Sequence, residues 1–324
     1  MSETILITGG AGFIGSNLVH RWHRSHPDDR IIVLDKLTYA ADPKQIEDLE
    51  GVELVVGDIQ NLELARYLIE KNTVTKVFHL AAESHVDRSI TGPAAFIQTN
   101  VVGTFSLLEA ARQAWAGQQD CRFLHISTDE VYGSLGEVGK FHEEMAYAPN
   151  SPYSASKAGS DHLVRAYHHT YGLNTVTTNC SNNYGPRQHL EKLIPLAITR
   201  MAKGKPIPIY GDGLNIRDWL YVEDHCAALE TVMLKGVSGE TYCVGGDNEQ
   251  TNLALVDLLC DLVDRHLCRS SGTSRQLKTF VQDRAGHDRR YAIDASKIQA
   301  KLGWKVESSF AEGLQRTVTW YLNQ

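Results

Sequence analysis

Tyr153 and Lys157 stand four residues apart in YSASK, a spacing that puts both side chains on one face of a helix. An ammonium beside a phenol stabilises the phenolate and lowers the tyrosine pKa, so this pair could remove a hydroxyl proton near neutral pH. A second pair, Asp129 and Glu130, lies upstream in ISTDEVYG. Adjacent carboxyls can serve as one acid and one base when their surroundings separate their pKa values. Neighbours on a regular strand point to opposite faces, so the two can act together only if the chain turns just after Thr128. Taken singly, each pair is also compatible with a solvated surface Tyr and Lys, or with loop carboxylates capping a turn.

Such groups need a frame. Short β-rich apolar runs recur at 4–9, 30–35, 52–58, 76–82 and 122–128, separated by stretches with helical spacing. That alternation predicts an α/β fold, a Rossmann-type doubly wound parallel sheet with crossover helices. The segment 100–116 carries Val101, Phe105, Leu108 and Ala111/Trp115 near a 3.6 period and predicts an amphipathic helix. A second helix is expected over 152–171, and a sixth strand over 174–180. Beyond Tyr184 the pattern is mixed: Gly and Pro punctuate 185–213, helices are expected over 223–235 and 253–267, and a strand over 241–245. The polar stretch 269–275 reads as a loop. The expected division is a dinucleotide-binding domain over 1–180, with part of 210–240 returning to it, and a smaller, interwoven substrate-binding lobe over 181–324.

TGGAGFIG (8–15) follows the first strand and opens the first helix, with glycines at 9, 12 and 15. A Cβ there would block the tight turn, the approach of backbone to a pyrophosphate and close helix–strand packing, while the helix N-terminus favours an anion. Asp35 ends the second strand about 20 residues later, where a carboxylate can bind the adenosine ribose and repel a 2′-phosphate. NAD is therefore expected over NADP, although Lys36 next door works slightly against that argument. Asp58, after the third strand, could reach the adenine edge, and the small residues of HLAA (79–82) let a cofactor lie close.

Composition narrows the partners. A net charge of −7 argues against a nucleic-acid surface, yet leaves room for a local basic pocket and a small anionic ligand. The six cysteines, at 121, 180, 226, 243, 260 and 268, form no CxxC pair and read as reduced core residues. Met1 leads almost directly into an apolar strand, and no segment approaches a membrane span, so a soluble cytoplasmic protein is expected. His85 has no second ligand at metal-site spacing, and no metal is expected.

TGGAGFIG, YSASK and ISTDEVYG together resemble the extended short-chain dehydrogenase/reductases, the nucleotide-sugar epimerases and dehydratases. The similarity to the 4,6-dehydratases among them extends through DKLTYA (35–40), HLAAESHVDRSI (79–90), NCSNNYGP (179–186), EKLIP (191–195), IYGDGLNIRDWLYVEDH (209–225) and GHDRRYAID (286–294). The resemblance implies a hydro-lyase acting on a nucleoside-diphosphate hexose, dTDP-glucose foremost, with retained NAD. Tyr153, assisted by Lys157 and Thr128, would deprotonate the 4-hydroxyl as hydride leaves carbon 4. Glu130 would take the carbon 5 proton while Asp129 protonates the departing 6-hydroxyl, and the hydride would return to carbon 6.

The same resemblance assigns cofactor contacts to Phe13, Ile14, Thr38, Ile59, Leu80, Ala81, Ala82, Ser84, Thr99 and Asn183, besides Gly9, Gly12, Gly15, Asp35, Lys36, Asp58, Tyr153 and Lys157. It assigns substrate contacts to Ser84, Thr128, Asn182, Lys192, Leu193, Pro208, Tyr210, Arg217, Asn252, Arg284 and His287, with Arg217 and Arg284 suited to diphosphate oxygens. It also implies a homodimer through a four-helix bundle made by the helices at 100–116 and 152–171, although Phe105, Trp115 and Tyr167 could be core instead. The chain departs from the family pattern at Ala41 (commonly glycine), at Arg187, His189 and Leu190 (tyrosine, phenylalanine, proline) and at Ala285 (proline). These positions bear on the pocket rim and the nucleotide preference. A 4,6-dehydratase for another nucleotide hexose, a 4-epimerase and a silent NAD-binding sensor or scaffold are the competing readings. An epimerase has no task for the carboxyl pair, and a silent protein has no reason to keep all four reactive groups.

Overall fold

The computed structural model describes residues 2–118, 120–283 and 286–324. The chain begins β1 (Thr4–Thr8), α1 (Phe13–Ser25), β2 (Arg30–Asp35), β3 (Val52–Val56), α2 (Leu62–Lys71), β4 (Lys76–His79), α3 (Val86–Thr91) and α4 (Pro93–Phe96). A π-helical segment, Ile97–Gly103, leads into α5 (Thr104–Ala114), β5 (Arg122–Thr128), a 3-10 turn (Asp129–Tyr132), α6 (Pro152–Tyr171), β6 (Thr175–Cys180) and β7 (Asn182–Tyr184). Then come α7 (Leu193–Ala202), β8 (Ile207–Tyr210), β9 (Ile216–Tyr221), α8 (Val222–Lys235), β10 (Thr241–Val244), β11 (Glu249–Thr251), α9 (Asn252–His266), β12 (Lys278–Val281), α10 (Ser296–Leu302) and α11 (Phe310–Leu322).

Seven strands form one parallel sheet in the order β10-β6-β5-β4-β1-β2-β3. Its central strands are apolar on both faces: Ile5, Leu6 and Ile7 of β1 are all fully buried, as a sheet covered by helices on both sides requires. One face packs Leu18, Val19 and Trp22 of α1 with Leu229 and Met233 of α8. The other packs Leu68 of α2, Leu107 and Ala111 of α5 and Val164 of α6. Each such side chain stabilises the fold by about 1.5–3 kcal/mol. The chain crosses over between β1 and β4, and the crevice at that switch point opens at the carboxyl ends of the strands.

A smaller layer holds the β11-β9-β7 sheet, the β12-β8 pair and α7, α9 and α11, around Ile198, Met201, Leu259 and Val318. From it α8 packs back onto α1, and β10 pairs with β6 in the large sheet. No helix among the described residues is long and apolar enough to cross a membrane.

The segment expected as one amphipathic helix over 100–116 is π-helical until Gly103. The buried Asn100 side chain is the local cause: it bonds both main-chain groups of Glu83 and the Ser156 hydroxyl, and the wider turn lets it reach them. Leu107, Leu108, Ala111 and Trp115 take the core face of α5, as does Tyr167 of α6, whereas Phe105 is 42% exposed. The expected strands at 52–58 and 76–82 end at Val56 and His79, so Asp58 and Leu80–Ala82 belong to the loops that follow. The polar stretch at 269–275 is mostly turn, but a 3-10 segment, Ser274–Leu277, begins within it. All six cysteines are free; Cys268, expected in the core with the rest, is exposed.

Candidate active site

The glycine turn is built by close contact. Gly9 has φ +72, and a Cβ on it would lie 2.7 Å from the Ala81 nitrogen; on Gly15 it would lie 2.1 Å from the Gly9 oxygen. At Gly12 a Cβ would meet only that same oxygen, at 3.3 Å, so hydrogen there leaves the groove side open. No side chain caps α1 at Gly12, and its first turn has no acidic residue, so the positive end of the helix faces the groove. Asp35 holds the turn from below, accepting from the Ala11 nitrogen (3.0 Å) and the Leu37 nitrogen (2.9 Å). Lys36 donates to Asp58 at 2.6 Å, which balances its charge locally.

The chain turns at once after Thr128, as the use of both carboxyls requires. Thr128 ends β5, and its hydroxyl accepts from the Glu130 nitrogen at 3.3 Å, starting the 3-10 turn. Asp129 is buried; its Oδ1 accepts from the Thr128 hydroxyl at 3.3 Å, and its Oδ2 has no hydrogen-bond partner. Burial, then the charges of Glu130 and Asp218, push its carboxyl well above the usual range. An ionised carboxylate desolvated in that way costs several kcal/mol, which favours the protonated form. Glu130 is half-buried and accepts from the Ser154 hydroxyl at 3.2 Å. Val131, Tyr132, Phe141, Ala158, Tyr291 and Ile293 pack as a small apolar cluster against this turn.

Ser151 caps α6 by accepting from the Ser154 nitrogen, with Pro152 in the first turn. Tyr153 and Lys157 are thereby set on its buried face. The phenol is pushed well above its ordinary value by burial first and by Glu130 second, and the Thr128 hydroxyl bond works downward. The Lys157 ammonium donates to the Ile126 carbonyl at 2.8 Å.

One groove collects Gly9, Gly12, Phe13, Ile14, Gly15, Asp35, Lys36, Thr38, Asp58, Ile59, Leu80, Ala81, Ala82, Ser84 and Thr99 with Thr128, Asp129, Glu130, Tyr153, Lys157, Asn182, Asn183 and Lys192. Leu193, Pro208, Tyr210, Arg217, Asn252 and His287 do not line it. They sit in the smaller layer: Tyr210 is exposed at the end of β8, the Asn252 nitrogen donates to the Asn215 carbonyl (3.0 Å), and His287 bonds Asp283 (2.6 Å). Arg217 is buried over the Tyr291 ring at 4.2 Å, donates to the Ile216 and Asp288 carbonyls, and its charge acts on Asp129. Arg284 and Ala285 lie outside the described residues.

Sequence reasoning missed several groups. Glu191 of EKLIP lines the groove and gathers three loops at its mouth: Tyr39 donates to it (3.1 Å), while His85 and Arg88 each lie 3.5 Å away. Arg88 also covers the Tyr39 ring at 3.5 Å. Arg187 takes φ +70 and donates to Asn17 of α1 at 3.0 Å, tying this loop to the glycine helix. Asn100, Cys180 and Gln188 carried no signal of their own. The presence of EKLIP beside Lys192 was the available clue to Glu191.

A glycine turn after the first strand of a doubly wound sheet, with a Tyr–Lys pair and a carboxyl pair over its switch point, defines an extended short-chain dehydrogenase/reductase. The family model described as GDP-mannose 4,6 dehydratase matches residues 6–317, and the chain belongs to that family. It is 55% identical to a dTDP-glucose 4,6-dehydratase of Xanthomonas campestris pv. campestris (strain B100), over 98% of this chain and 93% of that one. Among solved structures it is similar to DesIV, a dTDP-glucose 4,6-dehydratase of Streptomyces venezuelae with NAD bound, at TM-score 0.91 and 45% identity, covering 99% of this chain and 97% of that one. A UDP-glucose 4-epimerase of Thermotoga maritima shares the fold at TM-score 0.88 but only 28% identity, covering 99% of each chain.

Proposed function

We propose that the protein converts dTDP-glucose to dTDP-4-keto-6-deoxyglucose and water, with NAD held through the cycle. The observation that carries this reading is the buried, partnerless Oδ2 of Asp129 beside Glu130 at the turn that meets Tyr153. An acid poised next to a base suits elimination across two neighbouring carbons, whereas a 4-epimerase has no leaving hydroxyl to protonate.

The groove fits NAD. The Cβ-free cradle at Gly9, Gly12 and Gly15 accepts a pyrophosphate, Asp35 accepts from the ribose, and Lys36, held by Asp58, is not offered to a 2′-phosphate. Buried acceptors without partners line the same wall: Asn182 Oδ1, Asn183 Oδ1 and Gln188 Oε1. Each costs about 1–3 kcal/mol unless a donor meets it, which a ligand supplies. When bound, NAD supplies the acceptor for the carbon 4 hydride, the donor that returns it to carbon 6, and a positive ring that offsets the burial of Tyr153.

The chain's own residues move the protons. Tyr153 takes the 4-hydroxyl proton, with the Thr128 hydroxyl beside it and Lys157 sustaining the phenolate. Glu130 removes the proton at carbon 5, made acidic by the adjacent ketone, and Asp129 delivers its proton to the departing 6-hydroxyl; as hydride returns to carbon 6, Glu130 gives its proton back to carbon 5, and the proton left on Tyr153 offsets the one Asp129 has given up. Arg217 and Arg284 would hold the diphosphate, with Ser84, Asn182 and Lys192 nearer the sugar. Leu193, Pro208, Tyr210, Asn252 and His287 would complete the nucleotide end.

Three further readings belong here. The protein works in the cytoplasm. Residues 1–180 with α8 and β10 form the cofactor domain, and the rest of 181–324 forms the substrate lobe. A homodimer pairs α5 and α6 in a four-helix bundle, for which Ile97, Val102 and Phe105, 36–45% exposed, offer an apolar face.

Turnover of dTDP-, UDP-, GDP- and CDP-glucose compared side by side tests the substrate: the dTDP sugar should be used best, with no net reduced NAD. Glu130→Gln should stall with reduced cofactor visible by absorbance. Tyr153→Phe should suppress that first oxidation by about 10²–10⁴-fold. Equal blockage of NAD reduction in both variants would overturn the division of roles.

A further inference from the structure

On α6, Tyr153, Lys157 and Asp161 follow at intervals of four, so one buried helix face presents a phenol, an ammonium and a carboxylate in turn. Asp161 does not line the groove. Its carboxylate is nonetheless heavily bonded, to four different residues. Oδ1 meets His125 Nε2 at 3.0 Å, and Oδ2 accepts from the Ser127 hydroxyl (2.9 Å), the Tyr147 hydroxyl (2.9 Å) and Asn179 Nδ2 (3.2 Å). Burial, followed by the Lys157 charge, lowers the His125 pKa to about 4, so the ring is neutral and donates through Nε2.

Two consequences follow from where those donors sit. His125 and Ser127 flank Ile126, whose carbonyl takes the Lys157 ammonium. Asn179 in turn donates to the Thr128 carbonyl (3.2 Å) and accepts from the Tyr132 hydroxyl (3.3 Å), so it grips both ends of the turn that carries Asp129 and Glu130. One carboxylate thus ties α6 to β5 on both sides of the lysine's anchor and, through one amide, to the acid–base turn. Burial lowers the Lys157 pKa, and the groups that act on it are Asp161 from α6, which works upward, the Cys180 thiol from β6, and the His125 and His79 rings from β5 and β4. Burial pushes the Cys180 thiol up to about 12 and leaves both rings neutral, so the anion among these groups is Asp161.

We infer that Asp161 is a positioning residue for the proposed reaction: it locks the end of β5 onto α6, sets Thr128, Asp129 and Glu130 against Tyr153, and supplies the counter-charge that keeps Lys157 an ammonium. This rests on the roles given above to Tyr153 and Lys157. Asp161→Asn keeps the shape and removes the charge. In NAD-loaded full-length protein it should leave NAD content unchanged and KM within about threefold, because Asp161 touches neither ligand, while kcat falls by at least about tenfold. The alkaline limb of the kcat–pH profile should move toward neutrality by about one unit or more, since an amide no longer favours the charged lysine. Tyr147→Phe keeps the charge and withdraws one donor. It should lower kcat by about threefold, with KM and the limb unmoved.

A wild-type kcat and limb in Asp161→Asn would overturn the inference. So would joint losses of NAD, KM and kcat with the limb in place, which mark a merely structural residue. Should Asp161→Asn fail to fold, an unchanged kcat in Tyr147→Phe, or a limb displaced in it, overturns the inference instead. Full activity in Tyr153→Phe would remove the underlying assignment itself. An inactive Tyr153→Phe beside a wild-type Asp161→Asn removes only the role of Asp161.

Discussion

The groove has two walls, made in different ways. On the sheet side each group stands at or just beyond the carboxyl end of a parallel strand: Gly9–Gly15 after β1, Asp35 ending β2, Asp58 after β3, Leu80–Ala82 after β4 and Thr128 ending β5. In-register parallel pairing, with Thr8 opposite both Leu34 and His79, brings these ends to one line. On the lobe side, Asn182 and Asn183 of β7 and Gln188, Glu191 and Lys192 of the loop before α7 line the groove. They are held by side-chain contacts such as Gln188 Nε2 to the Asn183 carbonyl and Lys192 to the Ser84 carbonyl. The sheet wall is rigid because its backbone is shared with the core. The lobe wall is set by side-chain contacts between loops, and the expected effects of substitution differ accordingly.

The largest expected effect is on the sheet wall. Gly15→Ala places a Cβ 2.1 Å from the Gly9 oxygen and 2.7 Å from Gly10 Cα, both backbone atoms that cannot step aside cheaply. Forcing that contact costs about 1–3 kcal/mol or more, so NAD affinity should fall by about 100-fold and the protein should purify without cofactor. Nucleotide released on denaturation measures this; normal occupancy would mean that the turn yields. In the lobe behind the second wall, Arg217→Lys keeps the charge but loses the planar fork, and KM for the nucleotide sugar should rise by about tenfold with NAD content unchanged. Loss of NAD in that variant would erase the distinction between the walls.

The smallest effect probes the frame beneath both. His225 on α8 is fully buried, neither ring nitrogen has a partner, and burial lowers its pKa to about 3. His79 and His125 are depressed likewise. Because these folded values lie below the unfolded one, the unfolded chain takes protons first. Their contribution is complete above about pH 6.5 and is lost as pH falls toward 4, by about 1.4 kcal/mol per pH unit for each ring. His225→Leu should flatten that slope by one proton's worth and match wild type near pH 7.5. Urea midpoints measured across pH check it, and an unaltered slope would show that the ring protonates within the fold.

The strands and the sheet-wall residues were legible because a local pattern encodes them. An apolar run, a glycine turn and a helix start are contiguous, and YSASK needs only helical periodicity to align Tyr153 with Lys157. The 3-10 turn after Thr128 could be stated only as a condition. Its cause lies in Asn179 and in the cluster around Phe141 and Tyr291, all distant in the chain. The three-residue strands β7 and β11 and the π segment at Ile97–Gly103 left no periodic trace, since each exists through the partner it meets. Glu191 was visible as a letter in a motif and invisible as a junction of Tyr39, His85 and Arg88.

By itself, the order of residues determined the sheet, its open end, the glycine cradle and which groups are proposed to react, because backbone sterics and side-chain period act over a few neighbours. Tertiary structure alone decided their state. Burial raises the Asp129 carboxyl and the Tyr153 phenol well above their ordinary values, and Asp161, bonded from β5, from Tyr147 and from β6, stands as the anion to Lys157. Desolvation and through-space charge depend on what is packed around a group, and no local pattern specifies that.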